Sequence, residues 1–342
     1  MPRLTIRQHG ASASIPRHPI AGNLQKPEER KANRGWTAAV ARRNSQYLQR
    51  IDFERVDGTP YAVTLTLPAW QMEQVTPVVM HRLIDVMIKY LRRHGMLHFH
   101  WIIEFTARRM PHIHMSVWMA DRYEEWDRHL RQYIVWDNNE SAVVSNVVVK
   151  WLELTEAEGL HTSSNSQDVQ LIDGNEAWLV YIAKHGIRGV KHYQRALDNM
   201  PDEWRDGAGA MWGHDRKMPV ADDSVLPMDM RAFHQFRREA RKWCCAHAYM
   251  IKDPHRRAKA IGQARRSNRC CRPELSVVRP VSVWIPKDVT ISIVKGLRSR
   301  GYMIGWDAYQ WGVDELARLR DEGGSEERRR ILGKSLMEML RT

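Results

Sequence analysis

Two runs of alternating residues, 98–105 (HFHWIIEF) and 112–119 (HIHMSVWM), are joined only by TARRMP, and they constrain this chain more than any other feature. Strand side chains alternate between faces, so the pair predicts an antiparallel hairpin turning about position 108, with Arg108 and Arg109 at its tip. In that register Glu104 lies opposite His112, and His114 shares their face. Residues directly opposite one another place their Cβ atoms about 4.5–5.5 Å apart. Ile103, Phe105, Ile113, Met115 and Val117 then fall on the other face, toward a core. Two imidazoles and a carboxylate converging on one spot suit a divalent metal with positions left for phosphate oxygens. A bare His-x-His pair would equally suit a solvated face, and the carboxylate in matching register favours the ligand reading. By the same alternation His98 and His100 share a face with Glu104, so His100 in particular is an alternative ligand.

The flanking sequence predicts the remaining elements. Residues 61–67 (YAVTLTL) are β-branched and alternating, and Pro68 stops them as a strand. Residues 76–93 place Val79, Leu83, Val86, Met87, Tyr90 and Leu91 at helical spacing, and Gly95 closes that helix. Residues 36–48 have helical character, 121–134 read as a helix, 143–154 as a strand, and 155–172 as a polar loop. Asp173 and Glu176 have the capping-box spacing, which predicts a helix from 174 to 185 ended by Gly186. This order fits an α+β domain in which helices cover an antiparallel sheet. Residues 1–25 read as disordered. Residues 275–294 read as extended, and the rest of the tail as helical. The expected divisions are a basic N-terminal extension (1–58), the domain carrying the hairpin (59–220) and a basic, largely helical C-terminal region (221–342) for DNA binding or oligomerisation.

Charge points to the partner. The chain carries 53 Lys and Arg against 40 Asp and Glu, a formal charge of +13. An excess of this size favours a phosphate-bearing partner and says nothing about fold. It is concentrated in 228–272, with thirteen Lys or Arg against three acids, and in 26–50, with seven against Glu28 and Glu29. Those stretches either contact DNA or form solvated faces. No run of about 18 apolar residues suggests a membrane span, and the opening residues lack the apolar core of a signal peptide; the expected location is the cytoplasm. Cys244, Cys245, Cys270 and Cys271 form two adjacent pairs without zinc-knuckle spacing, so they read as reduced thiols.

Tyr181 and Lys184, three residues apart, fall on one face of the predicted 174–185 helix. A phenol with a pKa near 10 needs activation before it is nucleophilic, and a neighbouring lysine can steady the developing charge. The plain alternative is that Tyr181 is a core aromatic.

Taken together these motifs resemble the HUH endonucleases, in particular the rolling-circle replication initiators of filamentous phages and small plasmids. TLTL at 64–67 resembles the first family motif, a sheet strand. PHIHM, with Glu104 eight residues before His112, resembles the second, which supplies metal ligands. Tyr181-Ile-Ala-Lys184 resembles the third, which holds the nucleophile, and 200–216 (MPDEWRDGAGAMWGHDR) resembles the Trp-Gly stretch of phage-type initiators. The likeness covers roughly residues 60–216. It implies a five-stranded antiparallel sheet, Mg²⁺ or Mn²⁺ held by Glu104, His112 and His114, and catalysis by Tyr181 and Lys184. Arg108, Arg109 and Arg188 would contact DNA. It also implies nicking of one strand at an origin, a 5′-phosphotyrosine, a free 3′-OH primer, and work alongside a host helicase and polymerase, with homo-oligomers an open point. Many phage-type members carry a second tyrosine four residues after the first; here that position is His185, which predicts a single-tyrosine enzyme. The rival readings are an HUH transposase or plasmid relaxase, with the same chemistry on other DNA, and a non-enzymatic DNA-binding repressor.

Overall fold

The computed structural model describes residues 1–15, 35–174, 186, 188–205, 207–267, 281–321 and 326. The chain divides into two compact units, Pro27–Val220 and Met1–Lys26 with Ala221–Thr342.

In the first unit lie strands β3 (Thr59–Thr66), β4 (Met96–Phe105), β5 (Pro111–Met119), β6 (Arg122–Asp127), β7 (Gln132–Asp137), β8 (Asp168–Leu171) and β9 (Trp212–His214). Among its described residues the α-helices are α1 (Ala38–Leu48), α2 (Pro77–Arg93), α3 (Glu140–Ala157) and the single turn α4 (Asp202–Arg205). Five strands form one antiparallel sheet in the order β8-β3-β5-β4-β9. Mixed α and β with an antiparallel sheet is the architecture the sequence pattern predicts, and five strands are what the family resemblance implies. The alternating side chains predicted to face inward, Val63, Leu65, Ile103, Phe105, Ile113, Met115 and Val117, all enter the core. Helix α2 covers that core with Met80, Leu83, Ile84, Met87 and Leu91. Thr76 caps its first turn by accepting from the Val79 amide, Pro77 sits at its start, and Gly95 follows with φ of +87°. At β9, Gly213 stands across from Trp101, where a Cβ would come within 2.6 Å of the indole.

Two stretches exchange roles relative to expectation. Residues 121–134, expected as a helix, form the β6–β7 ribbon. Tyr123, Trp126, Leu130 and Ile134 are spaced like a helix, but Asp127 accepts from the amides of His129 and Leu130 and so closes a turn. Residues 143–154, expected as a strand, lie in α3. Its valines favour strands, yet Val143, Val147, Trp151 and Thr155 recur every four residues and are all buried. Asn139 caps this helix by accepting from the Ala142 amide, and Trp151 donates to the Thr66 carbonyl at 3.2 Å. Part of the expected 155–172 loop is strand β8.

The other unit contains β1 (Arg3–Arg7), β2 (Gly10–Ser14), β10 (Ser224–Pro227), β11 (Val281–Val283), α5 (Met230–Tyr249), α6 (Pro254–Ser267), α7 (Lys287–Arg298) and α8 (Trp306–Asp321). Its antiparallel sheet has the order β10-β1-β2-β11. The reading of 1–25 as disordered is thus overturned for β1 and β2. Short and partly built of alanine, they bury Leu4, Ile6, Ala11 and Ala13 with Phe233 and Phe236 of α5. Where the sequence sets 1–58 apart as an extension, these strands instead pair with β10 and β11. The expected extended run 275–294 is strand at β11, and from Lys287 it is helix α7. Among the described residues no helix is long and apolar enough to cross a membrane.

Candidate metal centre

The β4–β5 turn sets the register of the site. The Thr106 amide donates to the Met110 carbonyl at 2.8 Å, the Met110 amide returns to Thr106 Oγ1 at 3.1 Å, and Arg109 takes a φ of 63°. Glu104 then pairs with His112, and Ile102 with His114. On the other side β3 places Thr66 beside His112 and Thr64 beside His114. Three central strands thus deliver alternate residues to one face.

On that face Glu104, His112 and His114 each offer a ligand atom, and the three atoms lie within 4.8 Å of one another. The Nε2 atoms of His112 and His114 stand 2.8 Å apart, and Glu104 Oε2 is 3.8 Å from His114 Nε2. Glu104 is 0% and His112 4% exposed, while the His114 side chain keeps 14% of its surface open to solvent. Thr64 Oγ1 lies 3.1 Å from His114 Nδ1. For His114 to ligate through Nε2, Nδ1 must carry the proton and donate to Thr64, an arrangement that fixes the ring. Two imidazoles and a carboxylate with their ligand atoms converging fit a divalent cation. Among the described residues no other set of three histidine, cysteine or acidic side chains gathers this way.

Glu104 is also bound by arginines that sequence reasoning did not place there. Arg195 Nε donates to Oε1 at 2.7 Å, and Arg188 donates to Oε2. Arg195 is fully buried, its guanidinium 3.9 Å from the Trp36 ring centroid, and Trp36 donates to the Ile103 carbonyl at 2.7 Å. Burial disfavours the charge on Arg195, while Glu104 beside it favours that charge. The segment carrying both arginines is held against β4 where the Phe105 amide donates to the Gln194 carbonyl at 2.9 Å. It is an irregular segment, so no periodicity could have revealed the contact.

His98 and His100 do not join the ligand set. His98 Nδ1 meets Asp215 Oδ2 at 2.8 Å, and His100 Nε2 meets Asn44 Oδ1 at 2.8 Å. Beside them Tyr47 stacks on His214 with centroids 3.9 Å apart. Arg108 is exposed at the hairpin tip. Arg109 donates to the Met200 carbonyl and to Asp202, which ties the tip down. Arg188, expected as a DNA contact, lies on Glu104 with 13% of its side chain exposed. Tyr181, Lys184 and the expected helix around them lie outside the described residues, as does His185. Tyr193, the next tyrosine along, is 53% exposed.

Residues 60–154 match the family model described as Replication-associated protein ORF2/G2P. The replication-associated protein G2P of Pseudomonas phage Pf3 is 30% identical over 270 residues, covering 78% of this chain and 87% of the relative. A "Putative replication protein" of Xylella fastidiosa strain 9a5c is 27% identical over 318 residues, covering 89% of this chain and 99% of the relative. A second so described, from strain Temecula1, is 28% identical over 282 residues, covering 79% and 94%. No solved structure matches.

Proposed function

The chain belongs to the replication-associated protein ORF2/G2P family, and from that premise we propose that it is an HUH-type initiator that nicks one DNA strand at a replication origin. The observation that carries the proposal is the convergence of Glu104, His112 and His114 on one face of the sheet. These three side chains would hold Mg²⁺ or Mn²⁺. When bound, the ion would neutralise and polarise the scissile phosphate. Tyr181 gives up its phenolic proton and its oxygen bonds to phosphorus. The bond from phosphorus to the 3′ oxygen breaks, and that oxygen leaves as a hydroxyl. The 5′ phosphate stays on Tyr181, so the bond energy is kept for rejoining. Lys184 steadies charge on the phosphate. The freed 3′-OH is a primer for a host polymerase, working behind a host helicase.

The test is covalent capture. The full chain is mixed with single-stranded origin DNA and Mn²⁺ or Mg²⁺, and denaturing gels are read for a protein–DNA adduct. An adduct that requires the metal is expected. Binding without an adduct in either metal would return the chain to the repressor reading.

In this proposal residues 59–220 carry the nicking chemistry, and 221–342 grip the origin duplex. Lys252, Arg256, Lys259 and Arg265 are exposed on or just before α6. Each phosphate they neutralise adds about −0.9 to the slope of log affinity against log salt. Changing all four to Gln should make the slope for duplex origin shallower by roughly 2–4 and leave single-strand cleavage unchanged. A truncation near Pro227 would be a poorer probe, because it removes β11, α5 and α7 from the core that β1 and β2 share. An unaltered slope would show that these four side chains touch no phosphates.

A further inference from the structure

The negative charge of the ligand set resides on Glu104, and both of its oxygens are engaged by guanidinium groups. Arginine keeps its charge at any working pH. Histidines that ligate are neutral. The carboxylate and its two arginines therefore carry one net positive charge before a cation arrives. This is an unusual setting for a divalent ion, because carboxylate charge is what draws such ions into protein sites.

The two arginines are held differently. Arg195 is wholly buried, grips Oε1, lies over Trp36 and donates through Nη1 to the Arg188 carbonyl at 2.5 Å. It orients Glu104 and has nowhere to go. Arg188 grips Oε2, the oxygen that faces His114, and its side chain keeps some access to solvent. A cation and Arg188 thus claim the same oxygen. A guanidinium released there would suit a phosphate, which it can bind in a bidentate manner.

Resting on the metal-site reading above, we infer that the divalent cation and the DNA strand enter as a coupled pair: Arg188 exchanges Glu104 for a phosphate oxygen, and Arg195 stays behind as a positioning residue. The phosphodiester supplies the negative charge that the ligand set lacks. The cation in turn frees Arg188 for DNA. By linkage each partner must strengthen the other by the same factor.

The experiment measures Mn²⁺ affinity of the full chain by calorimetry, with and without a mixed-sequence 20-nucleotide single strand. The Tyr181→Phe background prevents strand cutting, and Mn²⁺ uptake by the oligonucleotide alone is subtracted. The strand should tighten Mn²⁺ binding at least tenfold, and saturating Mn²⁺ should tighten strand binding by the same factor. Arg188→Gln should bind Mn²⁺ more tightly than its parent when no DNA is present, and its coupling should shrink several-fold. Arg188→Lys, which keeps the charge, should retain most of the coupling. Equal Mn²⁺ affinity with and without the strand overturns the inference while leaving the metal site standing, as does an Arg188→Gln variant indistinguishable from its parent. A different result sinks the metal-site reading itself, and the inference with it: no Mn²⁺ uptake in either condition, or uptake that survives His112→Ala and Glu104→Gln.

Discussion

Changing Tyr181 to Phe is expected to abolish covalent capture of origin DNA, lowering the adduct yield by at least about 1000-fold, as loss of a nucleophile does elsewhere. Binding of the same strand should stay within about twofold, since affinity comes mainly from cations on phosphates. The substitution removes one oxygen and keeps the ring, so a role as a core aromatic would survive it almost unaltered. That separates the two readings of this residue: a packing tyrosine would leave the adduct in place. The control is Tyr193→Phe. Tyr193 is well exposed, and nothing in its packing would prevent it from meeting DNA. An adduct that persists in Tyr181→Phe and disappears in Tyr193→Phe would move the nucleophile to Tyr193. Loss in both variants would require both phenols in the reaction cycle.

Removing ligands should give the second large effect, and its signature differs between residues. His112→Ala and His114→Ala each delete one ligand of three, so Mn²⁺-dependent cleavage should fall by more than about 100-fold, beyond what is typical for losing an outer-sphere partner. Neither change leaves a formal charge unpaired. Glu104→Ala should abolish cleavage as well, but it also removes a carboxylate that pairs with the fully buried Arg195 and the largely buried Arg188. Breaking a buried pair in this way costs about 3–5 kcal/mol. Urea unfolding should therefore show a marked loss of stability for Glu104→Ala and a much smaller one for the histidine variants. Full metal dependence in His112→Ala would refute the ligand assignment, and equal unfolding midpoints for all three variants would refute the account of Glu104 as an anchor.

The sequence made the hairpin legible because three kinds of information agreed there. Alternation fixed the faces, the short TARRMP link fixed the turn, and an acid and two histidines fell into register. Where cues conflicted, reading was harder. The valines of 143–150 favour a strand, while the four-residue recurrence of Val143, Val147 and Trp151 favours a helix; burial of that stripe decided for the helix. Strands β1 and β2 left a faint trace because Ala11 and Ala13 do the packing that valine or isoleucine would do elsewhere. The anchoring of Glu104 could not be read at all. Arg195 lies 91 positions from Glu104 in the chain, in an irregular segment, and Trp36 reaches the same place from near α1. Patterning reports which face a residue occupies; it does not report which distant loop will fold over that face.

The pairing of β1 and β2 with β10 and β11 has a consequence for how the protein is made. Residues 3–14 leave the ribosome long before 224–227 and 281–283 are synthesised. Until then the early strands have only each other, and a lone two-stranded hairpin is marginal in water. The five-stranded sheet bearing the histidines is complete in sequence by residue 214 and can form while the nascent chain is still growing. The sheet of β1, β2, β10 and β11 must wait until residue 283 has been made, with unpaired edges exposed to other chains in the meantime. Slow translation through 228–283 would lengthen that exposure, and abundant chaperones are the natural remedy.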